Sequence, residues 1–104
     1  MFGTIGHGRL KPGNEAQMQT LMDDWKANIR PKIPGGFLNT AGFKAGMPNE
    51  MVFMALAQDE STYRGLANMP EQDAWFRKLS EMIDGDVTWE DVQMDVFESV
   101  PPTA

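Results

Sequence analysis

The chain has 104 residues, a formal net charge of -6 and no cysteine. This length supports one hydrophobic core, so a single domain over residues 1–104 is expected. Because the chain is acidic, neither nucleic acid nor an anionic membrane surface is expected as a partner. The lack of cysteine excludes disulfides and thiolate chemistry. It also favours the cytoplasm as the location, as does the lack of an apolar leader at Met1.

Residues 1–10 predict the first strand, which a Lys-Pro-Gly turn at residues 11–13 closes. One face of this strand would carry Phe2, Thr4, Gly6, Gly8 and Leu10, and the other face would carry Gly3, Ile5, His7 and Arg9. Glycine inside a strand marks a place where another group comes close to the backbone. Gly6 and Gly8 therefore either let a helix pack tightly or leave room for a ligand.

Residues 15–30 predict an amphipathic helix, and Asn14 lies at the position of its N-cap. The apolar stripe of this helix has spacings of three and four and consists of Met18, Leu21, Met22, Trp25 and Ile29. Pro31 and Pro34 are expected to end the helix, because proline lacks the backbone N–H that would continue it.

A β-hairpin is predicted next, with strands at residues 37–44 and 51–58 and a turn at residues 45–50. The turn signal is the sequence Met47, Pro48 and Asn49. The second of these strands has no polar side chain between Met51 and Ala57, so both of its faces are apolar. It is therefore expected in the middle of a sheet that is covered on both sides.

Residues 59–62 supply capping side chains for a second helical region. Pro70 forbids one unbroken helix, so a short helix to Asn68 and a longer helix over residues 70–83 are expected. Residues 84–86 would end the longer helix. Residues 87–100 predict the last strand, after which two prolines at 101 and 102 finish the ordered chain.

This order of elements predicts the α+β class, with a ferredoxin-like βαββαβ arrangement of a four-stranded antiparallel sheet. The first and third strands would lie inside, and two helices would cover one face of the sheet. The other face would remain apolar and uncovered, which in water is an aggregation hazard. A homodimer through this uncovered face is therefore the expected assembly.

Taken together, these features resemble the dimeric α+β barrel superfamily. The resemblance rests on the turn at 11–13, the amphipathic helix, Pro34 and Gly35 before Phe37, the apolar hairpin, and the broken second helix with Trp75 and Phe76. Within this superfamily the chain is most similar to the antibiotic biosynthesis monooxygenase (ABM-like) domains. The similarity covers residues 2–98.

The resemblance implies a small dimer whose ligand site lies between the sheet and the helices of one subunit. Members of the superfamily include cofactor-free monooxygenases acting on polycyclic aromatic substrates, haem-degrading enzymes and proteins without known activity. In the haem-degrading branch an Asn, a Trp and a His carry the function, and the corresponding positions here fall near Gly6, Leu66 and Trp75. Because all three differ, the resemblance disfavours haem degradation and weakens a direct transfer of quinone-forming oxygenase chemistry. No cofactor is expected.

His7 is the only histidine, so it is the first candidate for proton transfer near neutral pH. If Gly6 and Gly8 face the helices, His7 instead points into the space between the two sheets of a dimer, where it would be packed and hydrogen-bonded. Both interpretations remain open from the sequence. One histidine among scattered carboxylates, such as Glu90 and Asp91, is a poor set of metal ligands, so no metal is expected.

Four aromatic side chains are candidates for the wall of a ligand site, namely Tyr63, Trp75, Phe76 and Trp89. Asn39 or Tyr63 would then orient a polar group of a flat substrate. The alternative is that Trp75 or Phe76 simply anchors a helix to the sheet, because buried aromatic side chains dominate protein cores.

Two functions of different classes follow from these observations. The first is a cofactor-independent monooxygenase-like enzyme that acts on a small aromatic or hydrophobic molecule, whose own electron-rich ring reacts with oxygen in a dry pocket. The second is a non-catalytic dimeric module that binds a small molecule or only assembles. A pocket between the sheet and the helices with a convergent polar group would support the enzyme, and a filled interior would support the module.

Overall fold

The computed structural model describes residues 1–98. The strands are β1 (Phe2–Leu10), β2 (Phe37–Lys44), β3 (Met47–Ala57) and β4 (Ile83–Gln93), and the α-helices are α1 (Glu15–Asp24), α2 (Glu60–Ala67) and α3 (Pro70–Glu81). The sheet is antiparallel throughout, with the strand order β2-β3-β1-β4. The predicted ferredoxin-like βαββαβ fold, with the first and third strands inside, is confirmed.

The strand predicted to be central, residues 51–57, lies in β3 between β1 and β2. Phe53 is paired with Gly6 of β1 and Ala41 of β2, and its side chain is buried on the face that the helices cover. Met51 and Ala57 are buried on the same face. The period of two in the sequence therefore assigned the two faces of this strand correctly.

The helices form two hydrophobic clusters on this covered face. The larger cluster joins the sheet to α1 and α3 and contains Leu10, Met18, Leu21, Met51, Phe53, Leu79 and Ile83. The smaller one lies beside α2 and contains Trp25, Ile29, Ile33 and Leu66. Asp59 caps α2 by accepting a hydrogen bond from the backbone N–H of Thr62 at 2.8 Å, and this bond lowers the pKa of the Asp59 carboxyl.

The opposite face of the sheet carries apolar side chains that none of these clusters includes. The half-buried members are Ile5, Leu38, Val52, Met54 and Val92, and Leu56 is fully buried among them. His7 and Arg9 lie on this face as well, with Arg9 paired to Glu50 at 2.7 Å. We call this surface the open face. No helix in residues 1–98 combines the length and the apolar character needed to cross a bilayer.

The hairpin turn is shorter than predicted. Only Ala45 and Gly46 form the turn, and β3 already begins at Met47. Gly46 has a φ of 75°, which is the left-handed backbone conformation that such a tight turn requires. The predicted turn signal around Pro48 lies in an irregular stretch of β3 where the pairing with β2 shifts register. A bulge tolerates proline because it needs no ladder hydrogen bond there.

The first helix continues past its α-helical part, which ends at Asp24. It widens into a π-helical segment at Trp25–Ile29 and then tightens into a 3₁₀ turn at Arg30–Lys32. Pro31 therefore lies inside the helical region and not after it, because the first turn of a 3₁₀ segment makes no use of the missing N–H.

The last strand begins four residues earlier than predicted. Ile83 pairs with Leu10, and Gly85 adopts a φ of 83° where the pairing of β1 with β4 shifts register. The Asp-Gly-Asp sequence therefore forms an irregularity within the strand. β4 ends at Gln93, although the backbone of Met94 still pairs with Met1. Residues 99–100 of the predicted strand, and the prolines at 101 and 102, lie outside the described residues.

Candidate functional site

A cavity of about 400 Å³ lies between the covered face of the sheet and the helices. Seven aromatic side chains line it, namely Trp25, Phe37, Phe53, Tyr63, Trp75, Phe76 and Trp89. The polar side chains of the lining are Thr4, Asn39, Gln72 and Asp73. A cavity of this size and composition fits a flat organic molecule of two or three rings, which would lie between aromatic side chains and meet a few hydrogen-bonding groups.

All five residues that the sequence suggested for ligand binding line this one cavity. Asn39 comes from β2, Tyr63 from α2, Trp75 and Phe76 from α3, and Trp89 from β4. They meet because α2 and α3 lie on the face of the sheet to which the side chains of Asn39 and Trp89 point. Their role in binding remains a prediction.

Trp89 forms one wall of the cavity. Its ring lies 6.2 Å from the ring of Phe53 and 5.6 Å from that of Phe76, measured between centroids, and the residue is 42% exposed. A Cβ atom on Gly6 would lie 2.5 Å from the Trp89 ring, and one on Gly8 would meet Ile83 and Val87. These glycines therefore make room for side chains of β4. The sequence predicted that they would make room either for a helix or for a ligand, and the groups that approach them are neither.

We expect Gly6→Ala to displace the Trp89 ring without unfolding the protein, because the partly exposed indole can move outward. The free energy of unfolding should fall by about 1–3 kcal/mol, the usual cost of overpacking. Thermal denaturation and the tryptophan emission spectrum would measure both effects. Gly42→Ala is the matched control, since a Cβ there meets no atom within 4 Å. An unchanged emission spectrum in Gly6→Ala would contradict the expectation.

Two indole rings of the lining are fixed by hydrogen bonds. Trp75 donates from Nε1 to the backbone carbonyl of Leu21 at 2.8 Å, and Trp25 donates from Nε1 to Oε1 of Gln72 at 2.9 Å. The helical spacing placed Trp25 in the buried stripe of a helix, and no pattern in the sequence pointed to Gln72. A π-helical segment begins at Trp25, and such segments are often found at functional sites. The segment could not be predicted, because π-helices have no recognised sequence pattern.

The Tyr63 hydroxyl lies at the edge of the cavity and donates a hydrogen bond to Oδ1 of Asp91 at 3.4 Å. Burial raises the pKa of this phenol above its usual value of 10.0, and the negative charge of Asp91 raises it further. Tyr63 is therefore neutral at physiological pH. It can hydrogen-bond to a ligand, but it is a poor proton acceptor.

Among residues 1–98, Asp73 is the one charged residue that lines the cavity, and its carboxylate is paired with Arg77 at 2.9 Å. No lysine or arginine of this described part belongs to the lining. Within residues 1–98, no three His, Asp or Glu side chains cluster in a way that could hold a metal ion. The electrostatics of the lining thus favour an uncharged ligand over an organic acid, which would need a cation as partner.

His7 does not line the cavity. Its pairing partners are Val52 of β3 and Thr88 of β4, and its side chain is exposed on the open face. Gly6 and Gly8 do face the helices, which is the arrangement that directs His7 away from them. Of the positions that correspond to the haem-degrading residues, Leu66 and Trp75 belong to the lining.

Comparisons with known proteins give a consistent result for the fold. No protein-family model matches the chain, and no curated protein is similar to it in sequence. Among solved structures, a candidate antibiotic biosynthesis monooxygenase from Caulobacter crescentus superposes with a TM-score of 0.76 at 13% identity, covering 90% of this chain and 89% of its own.

Two further structures support the same conclusion. An antibiotic biosynthesis monooxygenase has a TM-score of 0.71 at 15% identity, covering 97% of this chain and 100% of its own. The protein Rv0793 from Mycobacterium tuberculosis has a TM-score of 0.70 at 15% identity, with 93% and 98% covered. The chain therefore shares the fold of these proteins, and the resemblance drawn from the sequence is confirmed for the fold.

Proposed function

We propose, from the premise of an ABM-like fold, that this chain binds a small uncharged aromatic molecule in the cavity and promotes its oxygenation without a cofactor. The observation that carries the proposal is the aromatic-lined cavity of about 400 Å³, whose lining also includes the polar residues Asn39, Tyr63 and Gln72. A filled interior would have supported an assembly module instead. The similarity to monooxygenases, at low sequence identity, is consistent with an oxygenation reaction, but the proposal rests on the cavity.

The proposed reaction needs no external reductant. An activated ring methylene of the substrate reacts with O₂ to give a ring carbonyl and water, so that the carbon loses four electrons and O₂ gains four. One oxygen atom enters the carbonyl and the other leaves as water. The chain would contribute a site from which water is largely excluded, aromatic contacts that hold the ring flat, and hydrogen bonds to its polar substituents.

The assembly that we propose is a homodimer through the open face. Five half-buried apolar side chains and the buried Leu56 lie together on that face, and the helices of the same subunit pack on the other one. A second copy placed sheet to sheet would remove this apolar surface from water. His7 would then lie within the interface, where it can accept or donate a hydrogen bond.

Ligand binding can be tested by tryptophan fluorescence, because all three tryptophans of the chain line the cavity. A panel of quinols, polycyclic ketones, flavins and haem would be titrated, and each hit would be checked by a thermal shift. We expect flat uncharged aromatic compounds to change the emission and to raise the melting temperature. Free tryptophan amide corrects for absorption by the ligand.

A pair of variants makes this test specific to the cavity. Ala55 lines the cavity, so Ala55→Phe fills part of it and should weaken binding by about tenfold or more. Ala74→Phe adds the same side chain at an exposed position of α3 outside the lining and should leave binding unchanged. Equal effects of the two substitutions, or silence of the whole panel in the unaltered protein, would overturn the proposed site.

A non-catalytic binding module is the second candidate. The observation that favours it is that no histidine or lysine among residues 1–98 lines the cavity, while Asp73 forms an ion pair with Arg77 and the pKa of Tyr63 is raised. Oxygen consumption separates the two functions. If a ligand that binds in the cavity gives no protein-dependent oxygen uptake and no carbonyl product, the chain is a binding module.

A further inference from the structure

Gln72 is a polar residue of the cavity whose orientation is fixed from within the fold. Its side-chain oxygen Oε1 accepts a hydrogen bond from Nε1 of Trp25 at 2.9 Å, across a sequence separation of 47 residues. An indole N–H is only a donor, so it must face the oxygen of the amide and not the nitrogen. Trp25 is itself 5% exposed, and its ring packs 5.1 Å from the ring of Phe37. The amide thus rests on a rigid partner.

The other end of this amide remains available. Nε2 of Gln72 has no hydrogen-bond partner among residues 1–98, yet no side-chain nitrogen or oxygen in that part of the chain is both buried and unsatisfied. Nε2 is therefore accessible, and Gln72 belongs to the lining of the cavity. Its two N–H groups can only donate. A ligand that meets them gains a hydrogen bond by presenting an acceptor.

The remaining polar groups of the lining are less suited to this role. The Thr4 hydroxyl donates to the Glu90 carbonyl at 3.2 Å, and the Tyr63 hydroxyl donates to Asp91. Asn39 is exposed, and its amide has no hydrogen-bond partner that fixes it among the described residues. A ligand would have to order Asn39 at an entropic cost, whereas Trp25 has already ordered Gln72.

We infer that Gln72, oriented by Trp25, is the specificity-determining hydrogen-bond donor of the cavity and selects flat aromatic ligands that carry a neutral carbonyl oxygen. An anionic acceptor is disfavoured, because no lysine or arginine among residues 1–98 lines the cavity to pair with it. This inference rests on the proposed function, since it names the substituent of the aromatic ligand that the cavity would recognise.

The experiment compares 9-fluorenone with fluorene, two flat tricyclic molecules that differ by one carbonyl. It is done without oxygen, because the ring methylene of fluorene is the kind of group that the proposed reaction converts into a carbonyl. In the unaltered protein, fluorenone should bind roughly three- to tenfold more tightly than fluorene, which is the usual size of one neutral hydrogen bond. Gln72→Glu keeps an acceptor for Trp25 but replaces the donating NH₂ by a carboxylate oxygen. The preference for fluorenone should disappear or invert in this variant.

Ala74→Glu is the matched control, because it adds the same charge to an exposed position of α3 that does not line the cavity. This control should keep the full preference for fluorenone. Melting curves check that both variants fold, and the ratio of the two affinities is compared because a general loss of binding cancels from it. Binding is followed by calorimetry in addition to fluorescence, since fluorenone absorbs light.

The outcomes distinguish this inference from the function on which it rests. Binding of both molecules with equal affinity, or a preference for fluorenone that survives in Gln72→Glu, overturns the role of Gln72 and leaves an aromatic-binding cavity in place. If neither molecule binds, both proposals are overturned. A preference that Gln72→Glu abolishes and Ala74→Glu keeps supports the inference.

Discussion

Replacing Met54 with glutamate is expected to convert the proposed homodimer into folded monomers. Met54 is half-buried on the open face, next to Ile5 of β1 and opposite Thr40 of β2. The interface of a two-fold dimer would receive two carboxylates, one from each subunit. Each carboxylate would lose its hydrating water without gaining a cationic partner. The dissociation constant should rise by at least ~100-fold, which sedimentation velocity or light scattering at micromolar concentration would measure.

The control for this substitution is Ala74→Glu, which adds the same charge at an exposed position on the helical side of the molecule. This variant should remain dimeric. If the unaltered protein sediments as a well-folded monomer at micromolar concentration, the open face is not a dimer interface. The same conclusion follows if Met54→Glu leaves the dissociation constant unchanged.

Gly3→Ala is expected to have the largest effect on stability of any single methyl addition in the sheet. A Cβ at this position would overlap the backbone oxygen of Ala55 and would lie 2.8 Å from Cα of Leu56. These atoms belong to β3 and cannot move without separating it from β1. The free energy of unfolding should fall by about 3 kcal/mol or more, the upper range for overpacking. Chemical denaturation with urea would measure it.

Gly42→Ala provides the comparison within the same sheet. A Cβ there meets nothing within 4 Å, and the position lies on the edge strand β2. Alanine also restricts the unfolded chain more than glycine does, so stability should stay equal or rise by up to about 1 kcal/mol. If Gly3→Ala and Gly42→Ala unfold at the same urea concentration, the close approach of β1 to β3 is not as described.

The fold was predictable because it depends on periodicity. The alternation of apolar residues around Phe53 fixed the central strand and both of its faces, and the spacing of Leu21 and Trp25 fixed a helix. Turn signals were less reliable. Pro48 and Gly85 occur where a strand pairs irregularly with its neighbour. Proline and glycine are common both in such irregularities and in turns, so the sequence alone does not distinguish the two.

The candidate site was predictable only in part. Trp75 and Trp89 were identifiable because large aromatic residues in a small domain must lie in the core or against a ligand. Gln72 could not be identified from the sequence, because its orientation depends on a hydrogen bond from Trp25 that only the tertiary structure brings about. For His7, the sequence supplied the residue and the strand, but its side of the sheet followed only from the direction in which Gly6 and Gly8 face.

The π-helical segment at Trp25–Ile29 has a consequence for related sequences. A π turn closes its hydrogen bond one residue later than an α turn, as the Arg30 N–H does with the Trp25 carbonyl. A homologue with one residue fewer here would wind as an uninterrupted α-helix and would rotate its indole away from the glutamine of α3. The length of this one helix, read from an alignment, would then separate homologues that discriminate among ring substituents from homologues that bind by shape alone.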